Sequence, residues 1–303
     1  MQPAVRHTSI VDSRCSYRKG YKISALVLLL ITFLVFLWSQ PKAALYNSFR
    51  EVIKAKSLWE TRKWSEVEGE KFIIRFTNSN EGALWAPLVL KNADEVYQSV
   101  TSLFNYTPEG KIMLILHPSR ESLGDTFGWE SNVSAMGVYW AGVIQILSPN
   151  EWLKGQPEEV MLTFKEQGPM IHEFTHFVVD YRTNGNYTRW LTEGIAQYAE
   201  LKLAGFRFEE SNSSLQQELY PFTKMDRNFD NLHNQNLAYR QSLAAVYFLV
   251  DTHGEESINE LLEVLATGVS QEKAFGEVFG YKDMDDYEAK WRAWLKQNIE
   301  DWN

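Results

Sequence analysis

The sequence has 303 residues and a formal net charge of −9, an acidity that disfavours nucleic acid and anionic lipid surfaces as partners. Its single cysteine, Cys15, rules out an internal disulfide framework, and a domain of about 230 residues can fill a core without one. No internal repeat or low-complexity tract interrupts it.

The first 22 residues carry Arg6, Arg14, Arg18, Lys19 and Lys22 against Asp12 alone, a net +4. Ile23 to Trp38 follows as an uncharged apolar run. As a helix it would be ~24 Å long, against a hydrocarbon core of ~30 Å, and Tyr21, Lys22, Trp38 and Ser39 can extend it into the interface. A soluble core helix would show a polar face, and this run has none. Two alternatives stay open: a cleaved signal peptide and an uncleaved signal anchor. Gln40-Pro41-Lys42-Ala43-Ala44 is a poor cleavage site, which favours the anchor. The positive-inside rule then keeps residues 1–22 in the cytoplasm, spans the membrane with 23–39, and places the rest of the chain outside. That exported part carries a net −13 and no cysteine.

Residues 40–69 are charged, with aromatics at Phe49, Trp59 and Trp64, and read as a helical stalk or linker. The globular domain is expected over 70–303. Phe72 to Phe76 alternates and predicts a strand. Leu84 to Phe104 has helical periodicity in Leu88, Leu90, Val96, Val100 and Leu103. Ile112 to Leu116 is a short apolar run ended by Pro118, a buried strand. Gly137 to Trp140 and Val143 to Leu147 predict two strands around Ala141-Gly142. Two helices follow near residues 170 and 190. The last third is helical over Gln241 to Thr252, Ile258 to Leu265, Gln271 to Phe279 and Met284 to Ile299, with Gly254, Gly268 and Gly280 as helix ends. A sheet first and helices after is an α+β order.

The most informative segment is His172-Glu173-Phe174-Thr175-His176. Positions four apart share a helix face, so both imidazoles can reach one point. That spacing suits two nitrogen ligands on one zinc ion, with Glu173 placed to take a proton from water at the metal. A solvated helix carrying two histidines by chance is the plain alternative. The flanks argue against it. Gly168-Pro169 is a helix start, and Met170, Ile171, Phe174, Phe177 and Val178 form an apolar face that would bury the helix. Glu193, in Trp190-Leu191-Thr192-Glu193-Gly194-Ile195-Ala196, is the candidate third ligand. Two histidines and one carboxylate leave a position open, as a catalytic site requires.

These two motifs, His-Glu-x-x-His and Trp-Leu-x-Glu-Gly-x-Ala-x-Tyr, resemble the gluzincin zinc peptidases. The resemblance is closest to the peptidase MA-like family, related to the M1 aminopeptidases, and runs loosely on through Ala238-Tyr239-Arg240-Gln241-Ser242 and Ala274-Phe275 to Trp291. It implies a zincin-like fold, with a small mixed sheet in the N-terminal half and a helical C-terminal half, here preceded by the one transmembrane helix read from the apolar run. It implies Zn2+ as cofactor, His172, His176 and Glu193 as ligands, and Glu173 as general base. It further implies Tyr239 as the phenol that steadies the oxyanion, with His233 as the other candidate for that task. In such a layout an edge strand above the metal binds an extended peptide. Gly137 and Val138 are the substrate-binding candidates, and an ordinary buried hairpin is the alternative there.

The sequence departs from the pattern in two places. Ala135 to Gly142, where aminopeptidases carry an acid that grips the substrate's amino terminus, has none; this favours an endopeptidase, although Glu130 and Glu200 could supply an acid by another route. Gln197 stands where related enzymes place an Asp that orients a ligand histidine, and its oxygen can accept the same bond. The expected protein is therefore a membrane-anchored extracytoplasmic zinc peptidase acting on a peptide or protein. The rivals are a zinc-binding but inactive surface adaptor, disfavoured by the retained Glu173, and a structural domain without metal.

Overall fold

The computed structural model describes residues 42–129, 135–208 and 212–302. Cys15, the basic tail, the apolar run of 23–38 and Glu130 lie outside them. Among the described residues no helix is long and apolar enough to cross a membrane. The chain divides into two compact units, Met1–Leu45 and Tyr46–Asn303, and everything that follows concerns the second, apart from the first turn of helix α1 (Lys42–Glu60).

One sheet of five strands is built from β1 (Ser65–Glu68), β2 (Phe72–Phe76), β3 (Ile112–His117), β4 (Gly137–Trp140) and β5 (Val143–Leu147), in the order β1-β2-β3-β5-β4. β2, β3 and β5 run parallel, and the two outer strands pair antiparallel. The parallel centre is apolar for the reason parallel strands usually are: both faces are covered. All five residues of β5 are buried. β2 alternates buried and half-buried, as its sequence pattern predicts. β4 leads into β5 across a two-residue turn in which Ala141 and Gly142 both take positive φ, 42° and 91°. That is the turn whose twist suits a tight hairpin.

Helix α2 (Asn80–Leu103) links β2 to β3 and buries Trp85, Ala86, Val89, Ala93, Val96, Tyr97 and Val100. It is capped by Ser79, whose hydroxyl accepts from the Gly82 amide. α3 (Arg120–Phe127) and α4 (Pro157–Gln167) are short and mostly polar outward. Helices α5 (Met170–Thr183) and α6 (Arg189–Ala204) are buried almost all round, which places them at the centre of the molecule. Phe174 of α5 packs edge-on to Phe72 of β2 at 5.3 Å and stacks on Tyr97 of α2 at 5.6 Å. These contacts fix α5 against the sheet.

The C-terminal half adds α7 (Phe222–Asn228), α8 (Gln235–His253), α9 (Glu256–Ala266), α10 (Gln271–Phe279) and α11 (Met284–Asn298). Trp190 of α6 is fully buried against Phe222, Phe275 and Tyr287. Each such side chain contributes about 1.5–3 kcal/mol by leaving water. α8 lies tightly on α6. A β-carbon at Gly194 would stand 2.6 Å from Val246 Cγ2 and clash with the Ser242 carbonyl, so only glycine permits that approach.

The α+β order, with the mixed sheet first and the helices after, is the expected one. The domain boundary is not. Residues 40–69 were expected as a stalk, whereas the compact unit starts at Tyr46. Arg50 of α1 is buried and paired with Asp180 of α5 at 3.2 Å. β1 pairs with β2 in register Ser65↔Phe76 to Glu68↔Ile73. The sequence hides this because β1 is Ser-Glu-Val-Glu, an outer strand with one apolar residue.

Candidate metal centre

His172 and His176 sit one turn apart on α5, with rings 4.7 Å apart and nearly perpendicular. Glu193 reaches them from α6. One ligand atom from each of the three lies within 4.8 Å of the others. Glu193 Oε2 is 3.2 Å from His172 Nε2 and 3.6 Å from His176 Nε2. Ligands held ~2.0–2.1 Å from one tetrahedral zinc ion stand about 3.3–3.4 Å apart. The donor set and its spacing therefore fit zinc, and these three residues can hold it.

Both rings are turned by partners at their far nitrogens. His172 Nδ1 lies 2.9 Å from Glu200 Oε2, and His176 Nδ1 lies 2.7 Å from Thr192 Oγ1. Such outer partners fix the ring orientation and direct Nε2 inward. The sequence pointed to Gln197 for this task, and the structure corrects it. Gln197 Nε2 instead donates to the Glu193 and Tyr239 carbonyls at 3.2 and 2.9 Å. Spacing alone does not choose between them, since both lie on the Glu193 side of α6; packing decides, with Gln197 drawn to the Tyr239 carbonyl of α8 and Glu200 to His172. It also removes Glu200 as a free acid for a substrate amine.

Glu173 lies under β4. Its Oε2 accepts the Tyr139 amide at 2.6 Å. The strand passes so close that a β-carbon at Gly137 would stand 2.8 Å from Glu173 Cγ and 2.8 Å from Pro169 Cβ. Burial raises the Glu173 carboxyl to about 7; Glu193 adds to the rise, while His172 and the Tyr139 amide oppose it. Burial pushes His176 down to about 4. Burial also opposes a charge on His172, but Glu200 and Glu193, one at each ring nitrogen, hold it well above its ordinary value. Glu193 is held well below the carboxylate range despite its burial, by Arg189 first and then the histidines.

Arg189 was not anticipated. It opens α6 and lies four residues before Glu193, so the two share a face. Its Nη2 is 2.9 Å from Glu193 Oε1, which leaves Oε2 to face the histidines. Tyr239 on α8 is half-buried, with its ring edge-on to Phe229 at 5.3 Å. Its phenol is raised above the usual tyrosine value chiefly by the charge of Glu193, with burial and Glu173 adding. His233 is exposed and borders a surface cavity of about 770 Å³ with Tyr220, Lys224 and Asn234. That cavity includes no metal-cluster residue.

Of the two readings of this segment, an edge strand and an enclosed hairpin, β4 is the outer strand of the sheet. The Leu147 amide donates to the Met136 carbonyl. With the register Gly137↔Ile146 and Val138↔Gln145, alternation turns the backbone groups of 136 and 138 towards β5 and those of 137 and 139 outward. Of the two substrate-binding candidates, Gly137 presents its backbone to the open side, while the backbone of Val138 is committed to the ladder.

A mixed sheet with one outer strand lying over a helix-borne His-Glu-x-x-His cluster, completed by a carboxylate from the next helix, is a zinc-peptidase-like arrangement. Residues 139–297, just over half of the sequence, match the family model of the Peptidase MA superfamily, and the chain belongs to that family. Among solved structures it is similar to an M1 zinc metallopeptidase from Deinococcus radiodurans, at 12% sequence identity and a TM-score of 0.40. The similarity covers 75% of this chain and 50% of the other, so the chain spans half the length of that enzyme. No curated protein sequence matches it.

Proposed function

We propose that the chain is a zinc-dependent endopeptidase in which His172, His176 and Glu193 hold the metal and Glu173 is the general base. The observation that supports this best is the convergence of two Nε2 atoms on one Glu193 oxygen, with Glu173 held alongside by the outer strand. Zinc at these three residues would supply a Lewis acid that polarises the peptide carbonyl and makes a nearby water more acidic. The remaining roles fall to the chain itself. Glu173 keeps one oxygen on the Tyr139 amide and has the other free to take a proton from the attacking water, then pass it to the leaving amine. The Tyr239 hydroxyl donates to the negative charge that develops on the carbonyl oxygen. The outward backbone at Gly137 binds the substrate backbone as an added strand.

The endopeptidase reading is supported by what the outer strand lacks. β4 is Gly-Val-Tyr-Trp and offers no acid to a substrate amine, and Glu200 is engaged by His172. An acetylated peptide should therefore be cut internally at a rate similar to its free-amine counterpart. Cleavage that requires the free amine and releases single residues from that end would overturn the endopeptidase assignment.

The same proposal places the domain outside the cytoplasm on an anchor at 23–39. The support is the uncharged run and the +4 tail before it. In intact cells an added protease should reach the domain and spare a tag at Met1. A tag digested in unbroken cells would reverse the topology, and a mature chain beginning near residue 44 would make the protein secreted.

A further inference from the structure

Asp180 lies on α5 four residues beyond His176 and is fully buried. It takes no part in the chemistry above, yet its carboxylate receives four donors, two on each oxygen. The Tyr46 hydroxyl donates to Oδ1 at 2.6 Å and the Tyr187 hydroxyl to the same atom at 3.0 Å. The Tyr139 hydroxyl donates to Oδ2 at 2.5 Å, and Arg50 Nη1 to it at 3.2 Å. The Tyr139 hydroxyl in turn accepts the Gly142 amide from the hairpin turn at 2.8 Å. The Arg50 guanidinium also lies 4.0 Å from the centre of the Tyr181 ring.

These partners come from elements that the site needs in fixed relation. Tyr46 and Arg50 belong to α1. Tyr139 belongs to β4, and its amide is the group that holds Glu173. Tyr187 precedes α6, which carries Glu193. A buried carboxylate with every lone pair engaged has one low-energy arrangement, because each displaced donor would be left unpaired out of water. A simple structural ion pair between α1 and α5 would need Arg50 alone. The additional tie to Tyr139 connects it to the strand over the general base.

We propose that Asp180 is a positioning residue that uses α1 as a clamp: through Tyr139 it seats the outer strand β4, and so sets where the Tyr139 amide holds Glu173. α1 is on this account part of the catalytic frame. The inference rests on the proposed role of Glu173, but its structural half can be tested without any substrate.

The experiment uses the full chain and two variants. Tyr46→Phe removes one donor from Asp180. The pair Arg50→Met with Asp180→Asn removes the buried charges together, so that neither is left uncompensated. Hydrogen exchange over residues 136–142 should quicken by about tenfold or more in the double variant, while β3 and helices α2, α5 and α6 keep their protection. With zinc content unchanged, kcat on a cleaved peptide should fall about tenfold, the scale typical of outer-shell changes, with KM nearly unchanged. Tyr46→Phe should shift both in the same direction by less. Exchange that is unaltered at 136–142, or that rises equally across the whole sheet, overturns the proposal. So does selective loosening with an unchanged kcat. If the parent cleaves no peptide, the peptidase assignment fails on its own and exchange alone decides the role of Asp180. Should the double variant not fold, the exchange and kcat of Tyr46→Phe decide.

Discussion

Glu173→Gln should abolish most hydrolysis while leaving zinc at one per chain. The amide oxygen can still accept the Tyr139 amide that now binds Oε2 at 2.6 Å, so the side chain keeps its place under β4. What it loses is the ability to take a proton. A positioned general base contributes roughly a hundredfold to ten-thousandfold in rate, which is about 3 to 5 kcal/mol of barrier. The change belongs in kcat, because a general base acts in the chemical step rather than in substrate binding. Stopped assays on a zinc-loaded variant read this directly, and parent-like turnover there would show that another group is the base.

The second large effect is on the metal. His176→Ala removes one of three donors that lie within 4.8 Å of one another. Changes to groups that merely orient a ligand typically cost tenfold to a hundredfold in metal affinity, so loss of a ligand should exceed about a hundredfold and take activity with it. His176 is buried between α5 and α6, so the variant also leaves a cavity and exposes Thr192 Oγ1, its present partner. Circular dichroism separates the two consequences: an unfolded variant says nothing about the metal, whereas a folded one with parental zinc by elemental analysis removes His176 from the ligand set. Thr192→Val, which keeps the ligand and deletes only the partner at Nδ1, should weaken zinc binding by the smaller factor.

Several elements were legible in the sequence because their signals are local. The short apolar run Ile112 to Leu116, ended by Pro118, reads as a covered strand. Glycines 254 and 280 end α8 and α10 at positive φ, 86° and 74°, a region that favours glycine, and Gly280 does so as a left-handed cap. The pair of histidines four apart on an apolar helix fixed a shared face by geometry alone. Elements whose burial is partial were not legible. β1 carries one apolar residue in four, and α4 turns most of its length to solvent, so neither has a periodicity that stands out from a loop.

The site divides in the same way. Sequence by itself determined which residues could act on a metal: His172, His176, Glu173 and a following Glu193, because ligand chemistry and helix periodicity are properties of the chain. Only the tertiary structure decided how they are held. Glu200 rather than Gln197 orients His172, Arg189 occupies the second oxygen of Glu193, and Gly137 lets β4 come within reach of Glu173. Asp180 gathers Tyr46, Arg50, Tyr139 and Tyr187 from positions 134 residues upstream to 7 downstream. Such partners carry no fixed spacing. A buried polar group must be satisfied by whatever the packing brings to it, and which groups those are is settled only when helices and sheet have been packed together.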